Sequence, residues 1–480
     1  MSARPAWRLL LLAGPAVFLA TILVPPPAAF AGASWPVLGL AAWMAIWWAG
    51  EALPLAATAL LPLAIVPLLD LPDRARILTE YANSSVFLIL GGFLIGLGME
   101  RWNLHRRIAY SIVARIGSEP RSLVLGMMIA TAFVSMWVSN TSTTLMMLPV
   151  AASIAALVAP PGEPIDADRR NFVAALIVCV AYAATIGGLG TLVGTPTNAL
   201  VQGFMARNYG FDLSFVDWLV FGLPTVALLL PLAWWVLVRV VMPFEIPARG
   251  DAKAEVREAL RALGPMSSAE KRVGLVALLT AALWIVRPLL NLLPGLDGLS
   301  DTAIAIAAGL AMFVTPAGGT GGALIVGEDL RRVPWDVLVL FGGGLALAAA
   351  IQASTLADTM GVALRIFADW PLIALMLVIV LLLVLWTELN SNVATAATFM
   401  PVLAALAAGT DAAVLALVAP AAMAASAGFM LPVGTPPNAI VFATGRISLR
   451  QMIRAGVWID LLAVAVIVAV GYVTMPLVAR

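Results

Sequence analysis

Histidine, cysteine and charged side chains are scarce in this chain. Its 480 residues include one histidine, His105, and one cysteine, Cys179, which excludes an intramolecular disulfide framework and metal sites built on cysteine or histidine pairs. Charged residues make up only 11% of the sequence, less than half of the share of about 25% that is usual in soluble proteins. The 27 basic and 26 acidic residues nearly balance, so no basic stripe indicates a nucleic-acid partner.

Apolar sequence dominates instead. Hydrophobic residues make up 62% of the chain, and the mean hydropathy is +1.02. Stretches long enough to cross a bilayer, about 20 residues each, recur from end to end. We therefore predict an all-α integral membrane protein with about eleven transmembrane helices, in which the third span of each half is long, at 84–115 and 334–368. Basic residues are concentrated in segments that would lie on one side, which predicts a multi-pass protein of the cell (inner) membrane with a cytoplasmic N-terminus.

The N-terminal residues 1–33 allow two interpretations. Arg4 and Arg8 precede an apolar run that ends at Val24, and small residues follow. This pattern fits a cleaved signal peptide or an uncleaved first helix, and we expect the helix. A mixed-charge segment at 245–272 predicts a cytoplasmic linker helix. The linker separates a first unit at 34–244 from a second at 273–480.

Two apolar stretches, 121–159 and 370–409, do not read as simple spans, because each has a polar cluster at its middle. That profile is typical of a re-entrant hairpin, whose tip must be surrounded by protein or water. An unpaired amide or hydroxyl group in such a place costs about 2–7 kcal/mol. Helix capping explains one residue per tip but not four. The first tip carries Ser135, Ser139, Asn140 and Thr141, and the second carries Thr387, Asn390, Ser391 and Asn392.

The two halves also repeat short motifs. Ser139-Asn140-Thr141 matches Ser391-Asn392-Val393, at an offset of 391 − 139 = 252, and Gly194-Thr195-Pro196 matches Gly434-Thr435-Pro436, at an offset of 434 − 194 = 240. Each half contains an odd number of predicted crossings, so the second copy must enter the membrane from the opposite side. Inverted repeats with broken helices are typical of secondary transporters, whose site lies near the midplane.

These motifs supply ligands for two kinds of ion. Broken helices free backbone carbonyls, which together with Asn and Ser oxygens form a cage for a small cation, whereas helix N-termini at the tips favour an anion. No Arg or Lys lies near either tip, so a bound cation would help to hold the anion and would couple the two. The glycines could alternatively serve close helix packing. Glu388 could assist cation binding or carry a proton, or it could cap or pair within the protein.

The two tips and the segment Ser426–Val441 (SAGFMLPVGTPPNAIV) resemble the divalent-anion:sodium symporter family. The resemblance implies an elevator-type homodimer with sodium as coupling ion. It implies a first sodium site formed by Ser135, Ser139, Asn140 and the Gly194 carbonyl, and a second formed by Thr387, Asn392 and the carbonyls of Asn390 and Gly434. It implies anion contacts from Asn140, Thr141, Ser391, Asn392 and Val393, with Thr195, Pro196, Thr435 and Pro436 nearby.

The resulting hypothesis is sodium-driven import of C4-dicarboxylates such as succinate, malate or fumarate, with no cofactor and with the lipid bilayer and a second copy as partners. Val393 departs from the threonine that the family often has, which weakens the choice of substrate. A sodium-independent exchanger and a tricarboxylate or sulfate carrier remain alternatives. An enzyme is not expected, because the tips contain no Ser/His pair and the chain has no His-Glu-x-x-His run.

Overall fold

The computed structural model describes residues 5–28, 30, 32–116, 119–158, 166–246, 252–319, 322–367, 369–408 and 413–478. In these ranges the chain is helical, and its only β contact is an isolated bridge between Pro316 and Ala323. Part of the predicted linker, 247–251, lies outside the described residues.

The α-helices of the described residues are α1 Pro5–Leu23, α2 Ser34–Ala49, α3 Leu55–Thr58, α4 Leu61–Ile65, α5 Arg74–Leu78, α6 Ser84–Arg101, α7 Leu104–Arg115, α8 Pro120–Ser135, α9 Asn140–Val158, α10 Ala167–Gly188, α11 Pro196–Tyr209, α12 Phe215–Trp235, α13 Ala252–Ala262, α14 Ser268–Leu290, α15 Asp301–Val314, α16 Trp335–Ala353, α17 Leu356–Leu364, α18 Leu372–Thr387, α19 Asn392–Ala408, α20 Val414–Ser426, α21 Pro436–Phe442 and α22 Leu449–Val478. Short 3₁₀ segments lie at Val66–Leu68, Thr79–Ala82, Gly327–Arg332 and Arg365–Phe367, and α12 continues as a π-helix over Val236–Val241.

Helix length and hydropathy identify the membrane-spanning elements. Six helices of the described ranges are long and apolar enough to cross a membrane: Arg74–Arg101, Ala167–Gly188, Phe215–Val241, Ser268–Leu290, Trp335–Ala353 and Leu449–Val478. The pair Leu356–Phe367 and Leu372–Thr387, bent by 112°, would make a seventh. The predicted number of about eleven spans is larger and stays a prediction.

Three of the four helices of the two predicted hairpins, α8, α18 and α19, are shorter than any of the six helices identified as spans. Helix α8 has 16 residues, which at about 1.5 Å per residue extend about 24 Å, less than the hydrocarbon core of about 30 Å. Helices α9 and α19 begin at Asn140 and Asn392, directly after the polar tips. Each pair therefore has the dimensions of a hairpin that turns inside the membrane.

The two long spans expected at 84–115 and 334–368 are each broken into two helices, so this expectation was wrong. The first break is at Asn103 (φ +57°) and the second at Thr355 (φ +60°), where the backbone turns left-handed. Such a conformation ends an α-helix, and asparagine adopts it more readily than threonine does. The breaks lie 355 − 103 = 252 residues apart, which is the offset of the two tips.

Helix boundaries recur in the two halves. Helices α8 and α18 begin 372 − 120 = 252 residues apart, and α9 and α19 begin 392 − 140 = 252 apart. Helices α11 and α21 begin 436 − 196 = 240 apart, which matches the offset of the Gly-Thr-Pro motifs. The recurrence supports two copies of one helical unit. Their inverted orientation in the membrane stays a prediction.

The two copies interlock around a buried centre. Helix α11 packs against α19 and α20, whereas α21 packs against α9 and α10, so the half-helix after each break contacts the hairpin of the other copy. The most apolar window of α10 has 94% of its residues buried, compared with 22% for α14. Helix α10 is therefore central, and α14 presents its leucines to the surroundings.

Candidate functional site

Polar side chains at the tip of the first hairpin form hydrogen bonds within the hairpin. Ser135, the last residue of α8, donates a hydrogen bond from Oγ to Asn140 Oδ1 at 2.8 Å. The Ser139 hydroxyl accepts the Ser142 amide at 3.3 Å and so caps the start of α9. The predicted residues Ser135 and Asn140 are thus brought together, with Ser135 fully buried. Ser139 acts through a cap, and Thr141 is half-buried on the first turn of α9.

The first break, residues 189–195, folds against this tip. The Asn198 side chain, fully buried on α11, donates to the carbonyls of Gly188 and Thr191 at 3.0 and 2.7 Å. The Thr191 hydroxyl donates to the carbonyl of Met136 at the tip, at 2.6 Å. These bonds satisfy carbonyls that the broken helix leaves without partners, and they fix the shape of the break.

Gly188 and Gly194 lie so close to neighbouring atoms at this junction that neither position has room for a side chain. A Cβ on Gly188 would lie 2.5 Å from Asn140 Oδ1, and a Cβ on Gly194 would lie 2.5 Å from the Gly188 carbonyl oxygen. Asn140 therefore rests directly against the broken helix. The Asn140 amide and the Ser135 hydroxyl form one compact set of polar groups next to Gly188, which in turn contacts Gly194.

The second hairpin and the second break, residues 427–435, repeat the pattern. The Thr387 hydroxyl lies 3.0 Å from Asn392 Oδ1 and 2.5 Å from the carbonyl oxygen of Ala425. Asn438 donates to the carbonyls of Gly428 and Leu431, at 3.2 and 3.1 Å. These three residues are each 240 positions after Asn198, Gly188 and Thr191. Two equivalent polar clusters therefore exist, one per copy.

The remaining predicted residues flank these clusters. The Asn390 side chain donates to the Trp386 carbonyl at 3.0 Å. Ser391 and Val393 are half-buried at the second tip, and Gly434 is buried. Thr435 caps α21 by accepting the Asn438 amide at 3.3 Å, with Pro436 in the first turn. In the first copy the Thr195 hydroxyl lies 3.5 Å from that of Thr197, and Pro196 begins α11.

One hydrogen bond joins the breaks of the two copies. The hydroxyls of Thr197 on α11 and Ser426 at the end of α20 lie 2.6 Å apart and are both fully buried. This contact brings the start of the first half-helix to the second break. Thr197 was not among the predicted site residues and Ser426 had no predicted role, although both are polar residues inside apolar helices.

Two buried acids contact the second break: Glu388, for which the sequence left several roles open, and Asp460, which was not predicted. Both oxygens of Glu388 accept backbone amides of the second break, from Met430 at 2.7 Å and Leu431 at 2.8 Å. Of the alternatives considered for Glu388, capping within the protein is therefore observed. Asp460 on α22 was missed, and its Oδ1 accepts the Phe429 amide at 3.2 Å. An acid at the middle of an apolar helix is the signal that would have identified it.

Ion pairs of the described residues lie away from both tips. They join Arg101 to Asp329, Arg107 to Glu270, Arg121 to Glu245, Arg169 to Asp166, Arg207 to Glu80, Arg287 to Asp212 and Asp301, and Arg332 to Glu100. An anion between the tips would therefore be held by neutral donors and helix N-termini rather than by a basic side chain.

A cavity of about 440 Å³ leads toward the first tip. Its lining includes Ser142 and Pro149 on α9, Glu100 on α6 and Arg106 on α7. In the second copy, α16 and α17 pack against the second hairpin helix α19. The first hairpin helix α9 thus borders a cavity, whereas its counterpart α19 contacts α16 and α17.

Paired hairpins, broken helices and polar clusters between them define the class, a multi-pass helical membrane protein of the secondary-transporter type. The sequence matches the family described as "Sodium:sulfate symporter transmembrane region" over residues 4–479. The chain belongs to this family, which confirms the resemblance inferred from the sequence.

Individual proteins agree with this placement. The chain is 39% identical over 479 residues to the sodium-dependent dicarboxylate transporter SdcS of Staphylococcus aureus (strain USA300), covering 98% of this chain and 91% of that protein. It is 39% identical over 471 residues to SdcS of Staphylococcus saprophyticus, covering 97% and 91%. The crystal structure of the YdaH transporter of Alcanivorax borkumensis superposes with a TM-score of 0.56 at 16% identity, covering 89% of this chain and 97% of that one. This likeness confirms the all-helical fold class.

Proposed function

We propose that this protein is a secondary transporter of the cell (inner) membrane that imports C4-dicarboxylates, such as succinate, malate or fumarate, together with sodium. The observation that carries the proposal is the pair of equivalent polar clusters, Ser135–Asn140 and Thr387–Asn392, each set against a broken helix. The two SdcS proteins, which are sodium-dependent dicarboxylate transporters by name, support the choice of substrate and ion.

The two sodium sites use the clusters as follows. Hydroxyl and amide oxygens of each hairpin, together with carbonyls of the adjacent break, are neutral hard-oxygen ligands suited to a small cation. The first site takes Ser135, Ser139, Asn140 and the carbonyl of Gly194. The second takes Thr387, Asn392 and the carbonyls of Asn390 and Gly434. The close approach of Gly188 to the Asn140 side chain, and of Gly194 to the Gly188 carbonyl oxygen, supports this use.

The dicarboxylate lies between the two tips. The N-termini of α9 and α19 point partial positive charge at each carboxylate, and the tip amides and hydroxyls donate hydrogen bonds. The contacts come from Asn140, Thr141, Ser391, Asn392 and Val393, with Thr195, Pro196, Thr435 and Pro436 nearby. Sodium on either side supplies the charge that these neutral groups lack, and transport of the anion depends on sodium for this reason.

Alternating access follows from the unequal surroundings of the two hairpins. The cavity beside Ser142 opens the first hairpin to the side that bears Arg106, which is cytoplasmic by the distribution of basic residues. In the second copy, α16 and α17 pack on α19 instead. In the elevator mechanism the hairpins and broken helices slide as one body, so that the cavity moves to the second hairpin. A homodimer provides the stationary scaffold.

The direct test is uptake of radiolabelled succinate into proteoliposomes with an inward sodium gradient, compared with an equal potassium gradient. Sodium should stimulate uptake at least tenfold. Equal uptake with both cations would refute coupling, and uptake that requires internal dicarboxylate would identify an exchanger instead. Excess unlabelled malate and fumarate should compete with succinate.

Sulfate is the second candidate substrate, because the family description names it. Val393 removes one hydroxyl from the second tip, which alters the donors available to either anion. Competition of sulfate and citrate against labelled succinate distinguishes these cases. Stronger inhibition by sulfate than by unlabelled succinate would replace the dicarboxylate proposal.

A further inference from the structure

The two copies use different hydrogen bonds to connect the break to the adjacent hairpin tip. In the first copy a side chain of the break, Thr191, donates to the backbone carbonyl of the tip residue Met136 at 2.6 Å. The equivalent pair in the second copy is Glu388 and Leu431, since 136 + 252 = 388 and 191 + 240 = 431. There the tip side chain accepts the backbone amide of the break, at 2.8 Å. The roles of side chain and backbone are exchanged, and the second tip gains an acid where the first has methionine.

A second acid reinforces this contact. Asp460 accepts the Phe429 amide while Glu388 accepts those of Met430 and Leu431, so two side chains hold three consecutive amides. The exposed fractions of Glu388 and Asp460 are 2% and 4%. Neither forms an ion pair with a basic residue in the described part of the chain.

The Glu388 carboxylate borders the second cluster. It follows Thr387 directly in sequence, and a Cβ on Gly434 would lie 2.9 Å from Glu388 Oε2. Both Glu388 oxygens accept backbone N–H groups, which is the bonding of a carboxylate. A buried negative charge beside the second cluster attracts a cation in that cluster strongly, because little water screens the charge. The tip of the first copy has Met136 at this position and gains no such attraction.

We propose that Glu388 is a positioning residue and countercharge for the second sodium ion, so that the second site binds sodium more tightly than the first and fills before it. Asp460 supports Glu388 by holding the adjoining amide. This inference rests on the proposed function. It makes the two otherwise equivalent clusters unequal and gives sodium binding an order.

The test compares Glu388→Gln with the unaltered full-length protein in proteoliposomes. The half-saturating sodium concentration for succinate uptake should rise about 10- to 100-fold, the effect of one unit charge at about 6 Å with an effective dielectric of about 20 to 40. The maximal rate at saturating sodium should stay within about threefold, by the same reasoning that only ground-state ion affinity changes. Sodium-dependent thermal stabilisation of the purified protein, without substrate, should shift in parallel. If Glu388 only held the backbone of the second break, Glu388→Gln would lower the maximal rate and the melting temperature without a selective rise in the half-saturating sodium concentration.

Two matched variants separate charge from geometry. Asp460→Asn keeps an acceptor for the Phe429 amide and leaves the Glu388 carboxylate in place, so its sodium shift should be smaller than that of Glu388→Gln. Asp212→Asn removes an exposed carboxylate that pairs with the buried Arg287, and it should leave the half-saturating sodium concentration unchanged.

A gain-of-charge variant covers the case in which Glu388→Gln does not fold. Met136 is half-buried at the first tip, so Met136→Glu adds an acid at the equivalent position and should lower the half-saturating sodium concentration. Unchanged sodium affinity in both folded variants, beside a sodium-stimulated parent protein, would overturn the inference alone. Absence of sodium stimulation in the parent protein would instead refute the proposed function.

Discussion

Replacing Gly188 by alanine tests whether the first tip and the first break form one site. The added Cβ would lie 2.5 Å from Asn140 Oδ1 and 3.0 Å from its Nδ2. Ordinary contacts begin near 3.4 Å, so the Asn140 amide must retreat by 3.4 − 2.5 = 0.9 Å. The Ser135 hydroxyl donates to the same Oδ1 at 2.8 Å, and such a retreat would stretch this bond as well.

The size of the effect follows from these contacts. Overpacking of a closely packed site costs about 1–3 kcal/mol, and loss of the Ser135–Asn140 hydrogen bond adds about 0.5–1.5 kcal/mol. If the tip is a sodium and substrate ligand, most of this cost reduces binding. A reduction of about 2–3 kcal/mol corresponds to a loss of about 30- to 150-fold in affinity. We therefore expect Gly188→Ala to raise the half-saturating sodium and succinate concentrations by at least an order of magnitude.

Two glycines provide graded controls for this prediction in the same uptake assay. Gly428 is the equivalent of Gly188 in the second copy, and a Cβ there would meet Thr387 Cγ2 at 3.3 Å, which predicts a mild effect. A Cβ on Gly96 of α6 would meet its nearest neighbour, the Trp137 carbonyl oxygen, at 3.6 Å, so Gly96→Ala should be neutral. Equal effects of Gly188→Ala and Gly96→Ala on folded, membrane-inserted protein would refute the reasoning.

Three further predictions use the same proteoliposomes. Asn140→Ala and Asn392→Ala should each abolish sodium-driven succinate uptake while the purified protein keeps its elution volume; normal uptake by either would remove that residue from the site. Asn198→Ala leaves two carbonyls of the first break without their donor, at about 1–3 kcal/mol each, so it should lower the melting temperature as well as the uptake rate, whereas a melting temperature equal to that of the parent would show that the break does not need this bond. Ser142→Cys should react with a membrane-impermeant thiol reagent from the cytoplasmic side only, because Ser142 lines the cavity whereas the native Cys179 is buried; labelling from outside alone would reverse the assigned orientation.

The hairpins and the breaks could be located from the sequence because their signals are local. Polar clusters such as that around Asn140 interrupt apolar stretches, and glycine and proline mark the breaks at Gly194 and Gly434. The resemblance implied that Ser135 and Asn140, and likewise Thr387 and Asn392, share a site. The structure joins each pair by a hydrogen bond, and their use as sodium ligands stays a prediction.

Other features depend on contacts between residues far apart in the sequence, and local sequence patterns could not predict them. The left-handed breaks at Asn103 and Thr355 have no glycine or proline to mark them, so two helix pairs were expected as continuous spans. Asp460 lies in α22, 31 residues after the Phe429 amide that it accepts, and only the packing of α22 beside the second break reveals the partnership. The exchange of side-chain and backbone roles at Met136 and Glu388 likewise requires both breaks to be seen folded.

The electrostatics of the tips explain why a carrier built this way would require sodium. Each hairpin helix that begins at a tip, α9 and α19, contributes about half a positive charge at its N-terminus. Together they supply about one positive charge, which is half of what a dicarboxylate dianion needs. No basic side chain pairs with a tip residue in the described ranges, and Glu388 adds negative charge beside the second tip. In the proposed carrier, the tips alone would therefore leave a dianion under-compensated until a cation binds next to Glu388, so the anion would cross only together with the ion that drives it.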